Sequence, residues 1–423
     1  MLTARPRGPF DPAVWRSPLR GAWLASVLSV ALLVLLVIDA ITGYLSHAAY
    51  QPNLGNSFSG GGLDRSLFGW QWPTHPSWLY AVTQGAHVTA GVAAMPILAA
   101  KLWAVMPKLY KWPPARSLAD LLERLMLALL VGSSILLLGT GLLNISYWYP
   151  WQFSFVVVHY YAAYVFVGAM LGHVLIKLPL MRRSFHERGV LKPLRDDVAH
   201  TVSEPADPET SAPNNPGVPT VSRRGLLGLV GASSAGLVVL FVGESLGGPL
   251  RKIALLGPRG RQPGPGPNGF QVNKTATGVG IKPQGTGIGY RLTLRGRRGM
   301  QLSRQDLLAL PQHTYVLPIA CVEGWSTTQT WTGVRLSDLA RMTGVQGPDT
   351  AFVQSLEQGG SFSHATLNSG QVGDDRSLLA LKVNGADLSL DHGFPARVIV
   401  PALPGVHNTK WVKEITFSGG VPA

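Results

Sequence analysis

Long uninterrupted apolar runs dominate the first part of the chain. They cover approximately residues 21–46, 77–100, 120–145 and 151–176. An α-helix needs about 20 apolar residues to cross the roughly 30 Å hydrocarbon core of a bilayer. Each run is long enough, so the pattern predicts a four-helix membrane domain within residues 1–192.

Basic residues are distributed unevenly around these runs. They lie before the first run, between the second and third, and after the fourth, at Arg5, Arg7, Arg16, Arg20, Lys101, Lys108, Lys111, Arg116, Lys177, Arg182, Arg183, Arg188, Lys192 and Arg195. The other two loops, 47–76 and 146–150, carry only Asp64 and Arg65 as charged residues. Because cytoplasmic loops carry the excess of Lys and Arg, we predict a multi-pass protein of the cell (inner) membrane, in contact with membrane lipid, with its N-terminus in the cytoplasm.

The composition changes after the fourth run. Residues 193–221 are rich in Pro, Asp, Glu, Ser, Thr and Asn and predict a flexible cytoplasmic linker. Arg223 and Arg224 then introduce another uncharged run, so residues 222–246 predict a fifth transmembrane anchor. The arginine pair resembles a twin-arginine export signal placed inside the chain; the alternative is an ordinary span whose arginines only set its orientation. In both cases the chain continues outside the cytoplasm, after a second flexible linker at 247–269.

Short β-type runs replace the long apolar runs in the last third of the chain. Separated by Gly and Pro, they lie at 290–295, 314–320, 351–356, 378–383, 396–401 and 411–417. Residues 336–343 carry apolar residues on one face and predict a helix. We therefore expect a multidomain protein: an all-α transmembrane helix bundle, followed by a mixed α+β extracytoplasmic domain over 270–423.

Composition supports the membrane assignment and excludes several kinds of site. The 423 residues are 46% hydrophobic and only 14% charged, with mean hydropathy +0.19, which is too apolar for a wholly soluble protein. The 36 Lys+Arg and 22 Asp+Glu give a net charge of +14; we attribute the excess to membrane sidedness and expect no nucleic acid partner. A single cysteine, Cys321, excludes a disulfide framework within the chain, a CxxC zinc site and an all-cysteine iron–sulfur cluster.

Histidines inside the predicted spans are candidate haem ligands. His87 and His159 lie at a similar depth below the outer ends of the second and fourth runs. Two neutral imidazoles that face each other across a helix bundle can supply both axial ligands of a haem b. His173 follows His159 by 14 residues, close to the same helix face and about 21 Å deeper, which leaves a second haem open. The alternative for these histidines is hydrogen bonding between helices.

This histidine spacing resembles the b-type cytochrome subunits of bacterial respiratory enzymes, over approximately residues 15–180. The resemblance implies one or two haems between a quinone site and an external partner. Such subunits usually place a histidine near the cytoplasmic end of the first span, whereas His47 lies at the opposite end. We therefore expect one haem and leave the ligands of a second undefined.

Cys321 ends an apolar strand and opens a glycine-containing loop that reads Cys-Val-Glu-Gly-Trp-Ser over residues 321–326. A thiolate presented in this way is a soft ligand suited to a metal. The alternative is a buried cysteine that packs as a small hydrophobic residue.

Four strings together resemble the molybdopterin-binding domain of the sulfite oxidase superfamily. They are the Cys321 loop, the Trp-x-Gly-Val-x-Leu-x-Asp-Leu string that begins at Trp331, and the segments Asp391–Pro401 and Gly405–Val412. The closest variant is the catalytic subunit of the bacterial protein-methionine-sulfoxide reductase, and the likeness extends over approximately residues 270–419.

The resemblance implies that the last domain binds a molybdenum cofactor, molybdopterin. Cys321 is then the thiolate on molybdenum. The residues implied to contact the pterin and its phosphate are Arg397, Lys410, Gly405, His392, His407 and Asn273. An anionic phosphate needs fixed positive charge and backbone N–H donors, which the two basic residues and the loop at Gly405 are expected to offer.

The function expected from these features is oxygen-atom transfer, with electrons exchanged with the quinone pool through haem b. We favour reduction of an S-oxide or similar acceptor, small molecule or peptide, by quinol. The first alternative is a sulfite-type oxidase that feeds electrons into the membrane. The second is a metal-free binding module on an electron-carrier cytochrome. The oligomeric state is left open.

Overall fold

The computed structural model describes residues 8, 11, 14–50, 72–110, 117–206, 211–257, 264–272, 274–360 and 362–422. The chain divides into two compact units. The first unit comprises Met1–Ile41 and Val88–Leu240, and the second comprises Thr42–His87 and Phe241–Ala423. These limits fall within helices, and not at 192, 246 and 269, where we placed the domain borders.

Five long helices occupy the N-terminal half. They are α1 (Ala22–Tyr50), α2 (Leu79–Leu109), α3 (Leu118–Ile145), α4 (Phe155–Arg188) and α5 (Arg223–Leu246). By length and composition all five are candidates for crossing a membrane. Each overlaps one predicted apolar run, and the membrane location itself remains a prediction.

Capping residues define several helix ends. The side chain of Ser117 accepts a hydrogen bond from Asp120 N at the start of α3, and that of Ser154 accepts one from Val157 N at the start of α4. Such caps satisfy backbone donors that have no partner within the helix. Gly189, at a φ of 71°, ends α4, in the left-handed region that glycine adopts without strain.

The first unit has an apolar core near the start of α1. Trp23, Leu24 and Leu28 are buried there against residues of α2 and α5. Farther along the chain, α3 packs against α4, and Thr140 of α3 contacts His159 of α4, with 3.0 Å between Oγ1 and Nδ1.

Part of the segment predicted as a flexible linker is fixed in this unit. The buried carboxylate of Glu204 accepts hydrogen bonds from Trp23 N at 3.2 and 3.3 Å and pairs with Arg188 at 3.5 Å. A helix N-terminus attracts an anion because its first N–H groups lack partners in the helix. Arg223, which is also buried, donates to Val202 O at 2.8 Å and to Pro18 O at 3.1 Å. The sequence therefore overestimated the mobility of this segment around residue 204.

The second unit contains the mixed α+β domain. Its helices are α6 (Pro283–Thr286), α7 (Arg304–Ala309), α8 (Leu336–Met342) and α9 (Ser369–Gly373). Its strands are β1 (Arg291–Arg295), β2 (Met300–Ser303), β3 (His313–Ala320), β4 (Ser326–Arg335), β5 (Val345–Gln346), β6 (Thr350–Ser355), β7 (His364–Asn368), β8 (Leu378–Val383), β9 (Ala386–Asp387), β10 (Arg397–Ile399), β11 (Val412–Ser418) and β12 (Val421–Pro422). Each predicted β-type run contains a strand, and the predicted helix at 336–343 is α8.

Two larger sheets organise the domain. One has the order β2-β1-β11-β6-β7, in which β1 and β11 are parallel. The other has the order β10-β8-β4-β3 and is antiparallel. Their apolar faces are buried, with Leu292, Leu294 and Ile415 from the first sheet and Leu379 and Leu381 from the second in one core. The second sheet carries the candidate site, because Cys321 follows β3 and Arg397 begins β10.

Candidate cofactor site

A tight turn presents Cys321 at the end of the β3–β4 hairpin. The last strand pair joins Ala320 to Ser326. Beyond it, Cys321 N donates to Trp325 O at 2.9 Å and Gly324 N donates to Cys321 O at 3.1 Å. Gly324 has a φ of 92°, which a residue with a side chain adopts only with strain. The strand-to-loop placement predicted for Cys321 is therefore observed, and its side chain is buried at 2% exposure.

The loop that contains Gly405 lies beside this turn. Gly405 N donates to Ala320 O at 2.7 Å, and Ala320 forms an isolated parallel bridge with Pro404. A Cβ atom at Gly405 would lie only 3.2 Å from Ala320 O, so glycine permits the close approach. The Gly405 amide is therefore bonded to the hairpin, whereas we expected it to face a phosphate; its observed contribution is to bring the loop next to Cys321.

Arg397 is a buried cation at the start of β10. Its side chain is 3% exposed, and its Nη1 donates to His392 O at 3.3 Å. The guanidinium carbon lies 5.6 Å from the ring centroid of Trp331, which belongs to the same buried cluster as Cys321. Burial lowers the pKa of Arg397 to about 10, and the Cys321 sulfur opposes that shift. Within the described residues its Nε has no hydrogen-bond acceptor.

Lys410 supplies a second positive charge near Arg397. Its ammonium donates to Lys274 O and to Asp391 O, both at 2.8 Å. Burial lowers the pKa of Lys410 well below its ordinary value, and the charge of Arg397 lowers it further. In the described part of the chain, the hydrogen bonds of both cations go to backbone carbonyls. Buried charges normally require a counter-charge, so this pair is suited to hold an anion.

The two site histidines are neutral and bonded to the backbone. His392 Nε2 lies 3.0 Å from Asn268 O, and its ring stacks on Phe270 at 3.8 Å. Burial lowers its pKa to about 3. His407 Nε2 lies 2.5 Å from Tyr50 O, and burial lowers its pKa to about 4.

Asn273 lies outside the described residues. Both histidines contact backbone carbonyls through Nε2. Among the candidate residues that the structure describes, Cys321, Arg397 and Lys410 therefore remain as the side chains suited to bind a metal or an anion. Cys321 itself is buried, and burial together with the neighbouring Glu323 raises the pKa of its thiol.

The residues around Cys321 meet the needs of a pterin cofactor. Three buried donors in this region have no acceptor within the described residues: Arg397 Nε, Thr409 Oγ1 and Trp325 Nε1. Buried polar atoms are almost always satisfied, so these atoms indicate a missing polar ligand. Sequence reasoning did not find Thr409 or Trp325, because neither residue type signals such a role by itself. No cluster of three or more His, Cys, Asp or Glu side chains that could hold a metal occurs among the described residues.

The candidate haem histidines belong to different units. His87 lies in the second unit, where a Cβ atom at Gly43 would come within 2.9 Å of its ring. His159 and His173 lie on α4 in the first unit, and Thr140 orients the ring of His159. The pairing of His87 with His159 stays a prediction, as does any second haem at His173.

Comparisons with known proteins cover the C-terminal domain. Residues 281–421 match the sequence model of the family described as oxidoreductase molybdopterin binding domain. The chain is 34% identical over 120 residues to the uncharacterized oxidoreductase YuiH of Bacillus subtilis, covering 28% of this chain and 59% of that protein. It is 32% identical over 150 residues to the mitochondrial sulfite oxidase of Drosophila melanogaster, covering 29% of this chain and 26% of that protein.

A further match is the NAD(P)H nitrate reductase of Hordeum vulgare, 39% identical over 104 residues, which are 22% of this chain and 12% of that protein. The chain therefore spans less than two thirds of the length of each of these relatives. The family match over residues 281–421 includes the β3–β4 hairpin, the Gly405 loop, Arg397 and Lys410. Residues 281–421 thus match the oxidoreductase molybdopterin binding domain family, and the chain is similar in part to a sulfite oxidase and a nitrate reductase.

Proposed function

We propose that the chain is a membrane-bound molybdenum oxidoreductase that transfers an oxygen atom and exchanges electrons with the quinone pool through haem b. The observation that carries the proposal is the proximity of a single buried thiol, Cys321, to two cations, Arg397 and Lys410, that donate to neutral carbonyls. This combination suits a soft metal joined to an anionic phosphate.

Each residue has a separate role in this proposal. The cofactor, when bound, supplies the exchange of an oxygen atom together with two electrons. Cys321 binds the metal through its sulfur, and the fixed β3–β4 turn sets the direction of that sulfur. Arg397 and Lys410 bind the phosphate, and the burial of Arg397, together with the partial burial of Lys410, limits competition from water. The neutral ring of His392, stacked on Phe270, holds the backbone that accepts from Arg397.

We favour reduction of an S-oxide or a similar acceptor, small molecule or peptide, as the physiological direction. Such a reduction consumes two electrons and two protons and releases water. Its support is the resemblance of the Cys321 loop to the protein-methionine-sulfoxide reductase catalytic subunit, combined with candidate haem ligands in the same chain. Quinol is the proposed donor.

The proposed electron path lies in the inner membrane, with a cytoplasmic N-terminus. Five apolar helices long enough to cross a bilayer and the uneven distribution of basic residues support this location. His87 and His159 are the proposed ligands of one haem b, with His173 a candidate for a second. In this proposal the domain after α5 is extracytoplasmic, and its export by a twin-arginine route is a separate proposal based on Arg223 and Arg224.

Oxidation of a sulfite-like donor is the second candidate. It is favoured by the sulfite oxidase of Drosophila melanogaster among the relatives. The cofactor-site residues are the same, and electrons would enter the membrane and reduce quinone.

Anaerobic mixing tests the proposal and separates its two directions. The purified full-length chain is reduced with dithionite, freed of reductant, and mixed with methionine sulfoxide while haem absorbance is followed. Reoxidation by methionine sulfoxide supports the favoured direction. Reduction of the oxidised haem by sulfite supports the alternative. The Cys321→Ser variant is the matched control and is expected to abolish either response. Absence of molybdenum from the unmodified chain would contradict both directions and leave a binding module.

A further inference from the structure

Side chains from outside the hairpin bind two backbone carbonyls of the turn that carries Cys321. The hydrogen bonds within the turn use Cys321 N, Cys321 O, Gly324 N and Trp325 O. The carbonyls of Val322 and Gly324 take no part in these bonds. Gly324 is buried and Val322 is half-buried, so each carbonyl needs a donor from elsewhere in the protein.

Gln84 satisfies the first of these carbonyls. Its Nε2 donates to Val322 O, on the residue that directly follows Cys321. The other end of the amide is fixed, because Ser46 Oγ donates to Gln84 Oε1 at 2.5 Å. Gln84 is only 6% exposed. An amide held at both ends and shielded from water fixes its acceptor more strongly than an exposed side chain does.

Ser245 satisfies the second carbonyl. Its Oγ donates to Gly324 O at 2.5 Å, and Ser326 Oγ donates back to Ser245 O at 2.6 Å. Ser245 also lies against α2, since a Cβ atom at Gly85 would come within 2.8 Å of the Ser245 Cβ. Gly85 therefore provides room for Ser245.

We propose that Gln84 and Ser245 are positioning residues that clamp the Cys321 turn and set the direction of its sulfur toward the metal. Both residues lie in the same compact unit as the turn but outside the matched domain, residues 281–421. The matched domain consequently does not contain all the residues that shape its own metal-ligand loop. The part of this inference that concerns the metal rests on the proposed function; the clamping of the turn does not.

Hydrogen exchange on the full-length chain in detergent tests the clamp without any metal. We expect Gln84→Leu and Ser245→Ala each to accelerate amide exchange in peptides covering residues 321–326 by about fivefold, the effect of losing one typical hydrogen bond. Thr83→Val is the matched control. Thr83 is as buried as Gln84, at 6% exposure, and its hydroxyl donates to Leu79 O and Tyr80 O of its own helix. Amide exchange of residues 321–326 in Thr83→Val should therefore match that in the unmodified chain.

The Mo(V) electron paramagnetic resonance signal tests the consequence for the metal. At equal molybdenum content, we expect both clamp variants to shift the g values, because that signal depends on the orientation of the thiolate. Thr83→Val should leave it unchanged. A merely structural role would lower stability without altering the signal.

The outcomes are distinguishable. Unchanged exchange in both clamp variants overturns the clamp, and faster exchange with an unchanged Mo(V) signal overturns its positioning role. If the unmodified chain holds no molybdenum, the proposed function and the positioning role both fail, while the exchange result still decides whether the two residues clamp the turn. If Gln84→Leu does not fold, Ser245→Ala provides both measurements.

Discussion

Replacing Arg397 by methionine should distinguish two effects of this buried charge. One is its effect on the folding stability of the cofactor-free chain, and the other is its contribution to cofactor binding. Burial lowers the pKa of Arg397 from 12.5 to about 10. At about 1.4 kcal/mol per pKa unit, the charged form is disfavoured by roughly 3 kcal/mol relative to water. Its hydrogen bond to His392 O offsets about 1.5–3 kcal/mol of this. Arg397→Met should therefore change the free energy of unfolding of the cofactor-free chain by no more than about 1.5 kcal/mol.

The same substitution should strongly affect the cofactor-loaded chain. Loss of a charge-assisted contact with phosphate removes binding energy that stabilises only the folded state. We expect cofactor content to fall at least tenfold, and any loaded Arg397→Met protein to unfold at lower denaturant concentration than the loaded unmodified chain. The assay is denaturant unfolding followed by tryptophan fluorescence, with chains produced in hosts that make or lack the cofactor.

Arg376→Met is the matched control for this experiment. Arg376 pairs with Asp374 at 2.8 Å, and the Asp374 side chain is 4% exposed. Removal of the arginine leaves a buried carboxylate without its partner, which typically costs about 3–5 kcal/mol. We expect that loss with and without cofactor. If Arg397→Met destabilises the cofactor-free chain as much as Arg376→Met does, or leaves cofactor content unchanged, the assignment of Arg397 to an anion is refuted.

Three further predictions concern other side chains. Cys321→Ser should fold but retain less than a tenth of the molybdenum of the unmodified chain, as measured by metal analysis, because a hydroxyl is a poor ligand for a soft site; unchanged molybdenum would rule out the thiolate role. Burial lowers the pKa of His392 from 6.5 to about 3, so between these values the unfolded chain binds the additional proton and stability falls as pH falls, by up to about 1.4 kcal/mol per pH unit. Between about pH 6 and 4, His392→Gln should reduce the slope of unfolding free energy against pH by up to about 1.4 kcal/mol per pH unit. An identical slope in both proteins would contradict the lowered pKa of His392. Thr140→Val removes the hydroxyl 3.0 Å from His159 Nδ1 and should weaken haem binding by about 10–100-fold in a reconstitution titration; equal affinity would show that Thr140 does not orient a haem ligand.

The elements of the fold were predictable where local chemistry determines them. Apolar runs identified all five long helices, and the β-type runs separated by Gly and Pro identified β3, which leads to Cys321, but not β4, which follows it. Helix ends were less predictable. The fourth apolar run ends near residue 176, whereas α4 continues to Arg188. Hydropathy reports where a helix can contact lipid, but backbone hydrogen bonds continue through polar residues until a residue such as Gly189 ends them.

Contacts between distant parts of the chain could not be predicted from the sequence. Trp72 Nε1 donates to Ala402 O at 2.7 Å, and Gln84 donates to Val322 O. In both pairs the acceptor is a backbone carbonyl, which every residue possesses, so residue type carries no information about the partner. Glu204 is a similar case. It accepts from the backbone N–H of Trp23, and a backbone N–H cannot be recognised as a partner from the amino-acid sequence. Its charged, proline-rich surroundings indicated a linker, but in the folded chain the start of α1 and Arg188 give the carboxylate its partners.

Cofactor binding at the proposed site requires Cys321 as a thiolate and Arg397 and Lys410 in their charged forms. Burial disfavours each of these ionised forms. Burial raises the pKa of the Cys321 thiol and so opposes the thiolate, while burial lowers the pKa values of Arg397 and Lys410 and so opposes their charges. Under the proposed function, a positive metal at the sulfur and a negative phosphate at the cations would relieve each penalty. Because one ligand carries both charges, binding relieves all three penalties together. In this proposal, cofactor binding compensates for placing charged groups in a poorly solvated region. It accounts for the presence of two cations and a thiol beside an otherwise apolar sheet core.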